Sequence, residues 1–289
     1  MTTTKSTNNE VTAGSDRPPL VRIRPSKGLV SIDFHELWSY RELLYFLAWR
    51  DIKIRYKQTV MGISWAVIQP FFSMVVFTIF FGKMAKMPSD GVPYPIFSYS
   101  ALVPWTFFTS AVSFSANSLV SNAELLKKVY FPRLYIPVAP IIACLVDFVL
   151  AFLLLLGIMA YYDFPPTVNI VWLPFFILLA VLSAFGIGLL LAAMNVMFRD
   201  VKYIVPFLLQ LWLFITPVVY PTSMLKEPWT LVYSLNPMVG VVDGFRWALL
   251  GSGPVPGINL FISCCVSVLL LLGGVVYFRR MEKSFADVV

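Results

Sequence analysis

Six long windows of this chain are apolar and almost free of charge. They are Ile63–Phe81, Tyr99–Leu119, Leu134–Ala160, Val171–Val196, Ile204–Tyr220 and Ile258–Phe278, and the third is interrupted only by Asp147. A helix crossing the hydrocarbon core of a bilayer needs about 20 apolar residues. The windows therefore predict an all-α integral membrane protein with six transmembrane helices. The second window is rich in Ser and Thr, and the fifth is rather short. Composition agrees. Of the 289 residues 58% are hydrophobic and 13% charged, where a soluble domain carries about 25% charged residues. The net charge of +7 therefore does not indicate a nucleic-acid-binding or disordered chain, and a soluble enzyme is disfavoured.

The basic residues test the count. Of the 22 Lys and Arg residues, ten precede the first window. Lys127, Lys128 and Arg133 follow the second, Arg199 and Lys202 the fourth, and Arg279, Arg280 and Lys283 the sixth. Only Lys83, Lys86, Lys226 and Arg246 fall on the opposite side. By the positive-inside rule both termini are expected in the cytoplasm, as an even number of spans requires.

Three regions precede or interrupt the spans. Residues 1–31 are polar and proline-containing, and read as a flexible cytoplasmic tail without a cleavable signal. Residues 32–60 read as an amphipathic helix at the membrane interface. Leu37, Tyr40, Leu44 and Leu47 recur at helical spacing, Arg50, Lys53 and Lys57 share another face, and Trp38 and Trp49 suit the headgroup region. Residues 61–289 form the six-helix domain. Within it, Pro221–Gly257 is too long for an ordinary loop and too apolar to be solvated. Two short re-entrant helices would satisfy both facts.

Few residues carry chemistry. There is no G-x-x-x-x-G-K-[ST] loop to hold ATP phosphates. The only histidine, His35, lies outside the windows, so neither a catalytic nor a metal site is expected. Cys144, Cys264 and Cys265 sit in apolar runs and read as packing residues. Asp147 is the one mid-span acid. It is a candidate for a transport pathway, or else a helix-to-helix hydrogen bond. The segment Asn122–Arg133 can form a short charged helix ended by Pro132. It could transmit force from a partner or simply anchor the topology. The aromatic residues Trp65, Phe71, Phe72, Trp105, Phe107, Phe108, Trp212, Phe214 and Tyr220 could stack on sugar rings, or pack against lipid and protein.

Four separated motifs, in order, carry a resemblance. Trp49-Arg50-Asp51-Ile52-Lys53-Ile54-Arg55-Tyr56-Lys57-Gln58-Thr59 leads into Met61-Gly62-Ile63-Ser64-Trp65 and Gln69-Pro70. Leu126-Lys127-Lys128-Val129-Tyr130-Phe131-Pro132-Arg133 follows the second window, and Asn195-Val196-Met197-Phe198-Arg199-Asp200-Val201 the fourth. Asn236-Pro237-Met238 and Gly244-Phe245-Arg246 lie in the outer segment. From about Leu37 onward the chain resembles the polysaccharide-exporting ABC permeases, the family of O-antigen, capsule and teichoic-acid exporters.

The resemblance implies partners that composition does not reveal. Two copies of the permease would pair, and two separate ATPase subunits would bind ATP and Mg; this chain would hold no cofactor. Glu124, Lys127, Lys128, Phe131 and Arg133 would contact the ATPase. Arg50, Lys53 and Arg55 would meet the pyrophosphate of an undecaprenyl-linked glycan at a cytoplasmic entrance. The nine aromatics above would line the sugar path. The expected setting is a bacterial inner membrane, with lipids as neighbours and no nucleic-acid partner. An ABC permease for drugs or another lipid shares this topology. A carrier needing no ATPase and a membrane-embedded transferase are alternatives from other classes; the single mid-span acid and the absence of an evident internal repeat argue against the first, and the few internal-loop acids, Glu124 and Asp200, each flanked by bases, against the second.

Overall fold

The computed structural model describes residues 38–57, 64–129, 131–226, 228–253, 255 and 257–285. The expected tail at 1–31, the outer parts of the interface helix, Gln58–Ile63 and Tyr130 lie outside the described residues. Among the described residues every regular element is helical. In chain order the α-helices are α1 (Arg41–Lys57), α2 (Ser64–Phe77), α3 (Tyr94–Ser121), α4 (Ala123–Lys128), α5 (Tyr135–Tyr161), α6 (Leu173–Met197), α7 (Val201–Ile215), α8 (Trp229–Ser234), α9 (Pro237–Leu250) and α10 (Ile258–Met281). A π-helical turn, Thr78–Met84, prolongs α2, and a 3-10 turn, Val168–Trp172, leads into α6.

Among the described residues four helical segments are long and apolar enough to cross a membrane: Ser64–Met84, Tyr135–Tyr161, Val168–Met197 and Ile258–Met281. The other two expected spans are helices of a different kind. α3 has 28 residues, about 42 Å of helix, and most of them are buried. It packs against α5 and α6 and buries Ile96, Phe97, Tyr99, Phe108, Ala111, Val112 and Ala116 completely. Several of its Ser and Thr hydroxyls turn back onto their own helix. Ser100 donates to the Phe97 carbonyl, Thr109 to that of Trp105 and Ser118 to that of Ser115. Such bonding satisfies polar groups without a neighbour. α7 has 15 residues, roughly 22 Å, short of the approximately 30 Å hydrocarbon thickness. It ends at Ile215 because Thr216 precedes Pro217, and a residue before proline is pushed into extended backbone; Thr216 has ψ 138°.

α1 exists over the central part of the expected interface helix. Its inner strip, Leu47 and Ala48, packs on Tyr135 and Ala139 of α5, with Tyr40, Leu43 and Leu44 alongside. The other side is not uniformly polar. Tyr45, Phe46, Trp49 and Ile54 are all exposed there, interleaved with Arg50 and Lys53. α1 thus has an inner apolar strip and a mixed aromatic and basic outer surface, rather than one apolar and one polar face.

The outer segment contains two short helices, α8 and α9. α9 is well enclosed, contacting α3, α6 and α10. Its start is fixed by Asn236, whose side chain accepts from the Met238 amide at 3.0 Å, with Pro237 at the first helical position. Its end is fixed by Gly251 in the left-handed region at φ 66°, where a side chain would be strained.

Candidate functional site: a polar cleft beside the interface helix

The C-terminal turn of α1, the start of α2 and the middles of α3 and α5 enclose a cleft of about 520 Å³. Most of its wall is apolar, supplied by Trp65, Pro70, Phe107, Phe114 and Phe148. A band of polar groups crosses it: Gln69, Thr106, Thr109 and Ser110, together with Arg55, Tyr56 and Asp147. An apolar cavity with a few converging polar groups is the usual form of a ligand site.

Arg55 organises that band. Its guanidinium forms an ion pair with the Asp147 carboxylate, and the Tyr56 hydroxyl donates to the other carboxylate oxygen. Arg55 also points Nη1 and Nη2 at the Cys144 sulfur, at 3.6 and 3.7 Å. The guanidinium lies 4.3 Å from the centroid of the Phe114 ring, a favourable cation–π placement. Cys144 and Asp147 are three residues apart on α5, hence on one face. Burial works against the Arg55 charge, but Cys144 and Asp147 outweigh it and hold the pKa above the ordinary arginine value. Burial, together with the bond to Asp147, raises the Tyr56 hydroxyl.

The residues expected at the entrance separate. Arg55 faces the cleft. Arg50 turns to Asp51 next to it, at 2.8 Å, and Lys53 is exposed. Asp147 takes the bonded role, facing the cleft while paired. Tyr56, Cys144, Gln69, Thr109 and Ser110 are site residues that the sequence reading did not single out as such. Cys144 is buried as expected of a packing residue, yet its sulfur also serves the cation.

The nine aromatics do not converge on one path within the chain. Trp65 and Phe107 line the cleft. Trp105 and Phe108 are core residues, at 4% and 0% exposure, because they lie on the side of α3 that packs into the main core. Trp212 packs edge-on against Phe108, with centroids 5.4 Å apart. The Tyr220 hydroxyl donates to that of Tyr233 at 3.2 Å. Phe71, Phe72 and Phe214 point outward.

The charged segment after α3 also divides. α4 exposes Glu124, Lys127 and Lys128, and Lys128 pairs with Glu124 at 2.6 Å. Leu126 and Phe131 are buried with Phe278 and Phe285, and the Phe278 and Phe285 rings meet at 5.3 Å. Arg133 turns inward and donates to the backbone carbonyl of Glu282. It therefore clasps the turn that follows α10 in its own chain. Arg133→Ala should loosen that turn by about 1.5–3 kcal/mol, the worth of a charge-assisted hydrogen bond. Hydrogen exchange at Glu282–Phe285 would show it as faster exchange. Lys127→Ala, an exposed change, should leave those amides untouched.

Comparison with known proteins places this architecture. The chain is 32% identical, over 87% of its length and 97% of the relative's, to the O-antigen export system permease protein RfbA of Myxococcus xanthus. It is 26% identical to a protein of the same name from Klebsiella pneumoniae, over 86% of this chain and 95% of that one. It is 24% identical to the polysialic acid transport protein KpsM of Escherichia coli, over 81% and 92%. Residues 42–250 match the ABC-2 type transporter family, a match that takes in α1, the cleft, α4 and all of α9: the chain belongs to that family of membrane permeases.

Proposed function

We propose that this chain is the permease that carries a lipid-linked polysaccharide outward across a bacterial inner membrane, driven by a separate ATPase. The observation that carries the reading is its similarity, over nearly its whole length, to permeases named for O-antigen export and polysialic acid transport. On this reading α3 and α7 complete six spans, α8 and α9 re-enter the outer leaflet, and both termini are cytoplasmic. Two copies pair, with the exposed aromatics of α2 and α7 facing the path between them or the surrounding lipid.

The chain's own residues then have distinct tasks. The apolar wall of the cleft accommodates part of a polyprenyl chain, and Arg55 and Tyr56 meet its pyrophosphate with donors that suit phosphate oxygens. α4 presents Glu124, Lys127 and Lys128 to the ATPase. Motion at α4 passes to α3 and α5, which flank it in the chain and form two walls of the cleft. The permease makes and breaks no covalent bond, and binds neither ATP nor Mg itself.

Deletion of the gene tests the reading. Surface polymer should disappear while lipid-linked glycan accumulates inside the cell. No change in either pool, in a strain that makes such a polymer, would replace the glycan with a drug or another lipid as cargo.

A further inference from the structure

The Asp147 carboxylate occupies the position that an anionic headgroup would need. Its two oxygens are engaged by the Arg55 guanidinium and the Tyr56 hydroxyl. These are the donors that the cleft offers to a phosphate. Carboxylate and phosphate share the geometry that a guanidinium fork recognises. The three groups sit partly open to the cleft, Arg55 and Asp147 each at 22% side-chain exposure, so an incoming ligand can reach the pair. Ser110 lines the same cleft and offers a hydroxyl donor to a displaced carboxylate.

We infer that Asp147 is a built-in competitor for Arg55, so that a phosphate-bearing lipid is bound by exchange with the carboxylate and is released when the carboxylate returns. The inference rests on the proposed export of a lipid-linked glycan and adds the group that keeps its binding reversible. A transport site must let go of its cargo. An arginine in a half-buried apolar cleft without an internal partner would hold a pyrophosphate too firmly for turnover. Asp147 limits that affinity, and Cys144 and Phe114 keep the guanidinium in place while its partner changes. Asp147 is thus a specificity and release residue rather than a simple tie between α1 and α5.

The competitor and the tie predict opposite signs. The full-length permease with its ATPase subunit, in nanodiscs, would be titrated with a short polyprenyl pyrophosphate and with the matching polyprenol, which lacks phosphate. Asp147→Asn should bind the pyrophosphate on the order of tenfold more tightly and export more slowly. Asp147→Glu, which keeps the charge, should stay near the unmodified affinity. Arg55→Ala should weaken pyrophosphate binding, and the polyprenol should bind all variants alike. Weaker or unchanged pyrophosphate binding by Asp147→Asn would overturn the competitor. Should that variant not accumulate, Asp147→Ser takes its place, and the same two outcomes decide. Unchanged pyrophosphate affinity in Arg55→Ala is a separate result, and would remove the headgroup role of the cleft itself.

Discussion

Replacing Arg246 with methionine should destabilise the outer segment more than any other single change of a charged residue. Arg246 belongs to α9 and is 2% exposed. Its guanidinium donates to the carbonyls of Pro217 at 2.6 Å and Val218 at 2.8 Å, with longer contacts to those of Tyr220 at 3.3 Å and Phe97 at 3.5 Å. It also stacks over the Phe97 ring, 3.6 Å from the centroid. One side chain therefore fastens the irregular stretch after α7 to α3 and α9. Methionine fills a similar volume but donates nothing, so carbonyls that water cannot reach lose their partner. Bonds from a charged donor contribute roughly 1.5–3 kcal/mol each. The net loss should be about 3–5 kcal/mol, since the removed cation no longer has to be desolvated. Lysine should recover only part, because a single ammonium cannot span carbonyls that a planar fork bridges. Thermal unfolding of the purified permease should rank arginine above lysine and lysine above methionine. Equal midpoints for arginine and methionine would mean that the stretch from Thr216 to Tyr220 is held by other contacts.

That arginine also marks how far the sequence could be read. Hydropathy located the spans well where a breaker stands at each end. The window Leu134–Ala160 became Tyr135–Tyr161, bounded by Pro132 before it and by Asp163 at φ 51° after it. The second window began late because Tyr94–Ser98 contains a proline and polar groups, yet Pro95 sits where a helix start tolerates it. The apolar outer segment was legible as two short helices because Asn236-Pro237 and Gly251 punctuate it. The partners of Arg246 were not legible, since they are backbone carbonyls of a loop and leave no residue-type signature. Arg55 and Asp147 were each visible as unusual charges. Their pairing, across 92 positions, depends on helix rotation, and periodicity within one helix says nothing about that. The same gap explains the aromatics: a phenylalanine on the enclosed α3 and one on the outward face of α2 look alike in sequence.

Gly274→Ala should be the most damaging small change in the membrane domain. α6 and α10 cross with their backbones in contact at Gly186 and Gly274. A Cβ on Gly274 would stand 2.2 Å from the Gly186 carbonyl oxygen, and one on Gly186 would stand 2.6 Å from the backbone at Leu270 and Leu271. Backbone cannot rotate aside as a flexible side chain can, so the helices must separate. Close approach of small residues drives helix association in lipid, where apolar burial gives no advantage. The crossing also positions Ser183, which meets the Ser267 hydroxyl at 2.9 Å, and Ser263, which donates to the Ser234 carbonyl of α8. Overpacking costs about 1–3 kcal/mol, and loss of the serine contact adds up to about 1.7 kcal/mol. The effect should reach function as well, because α10 ends in the turn that Arg133 clasps beside α4. Gly273 supplies the control. Nothing lies within 4 Å of a Cβ placed there, so Gly273→Ala should be neutral or stabilising by helix propensity. A fall in thermal midpoint confined to Gly274→Ala locates the requirement in the contact with Gly186. An equal fall in both variants would place it in the flexibility of the Gly273-Gly274 pair, and the close crossing would then be incidental.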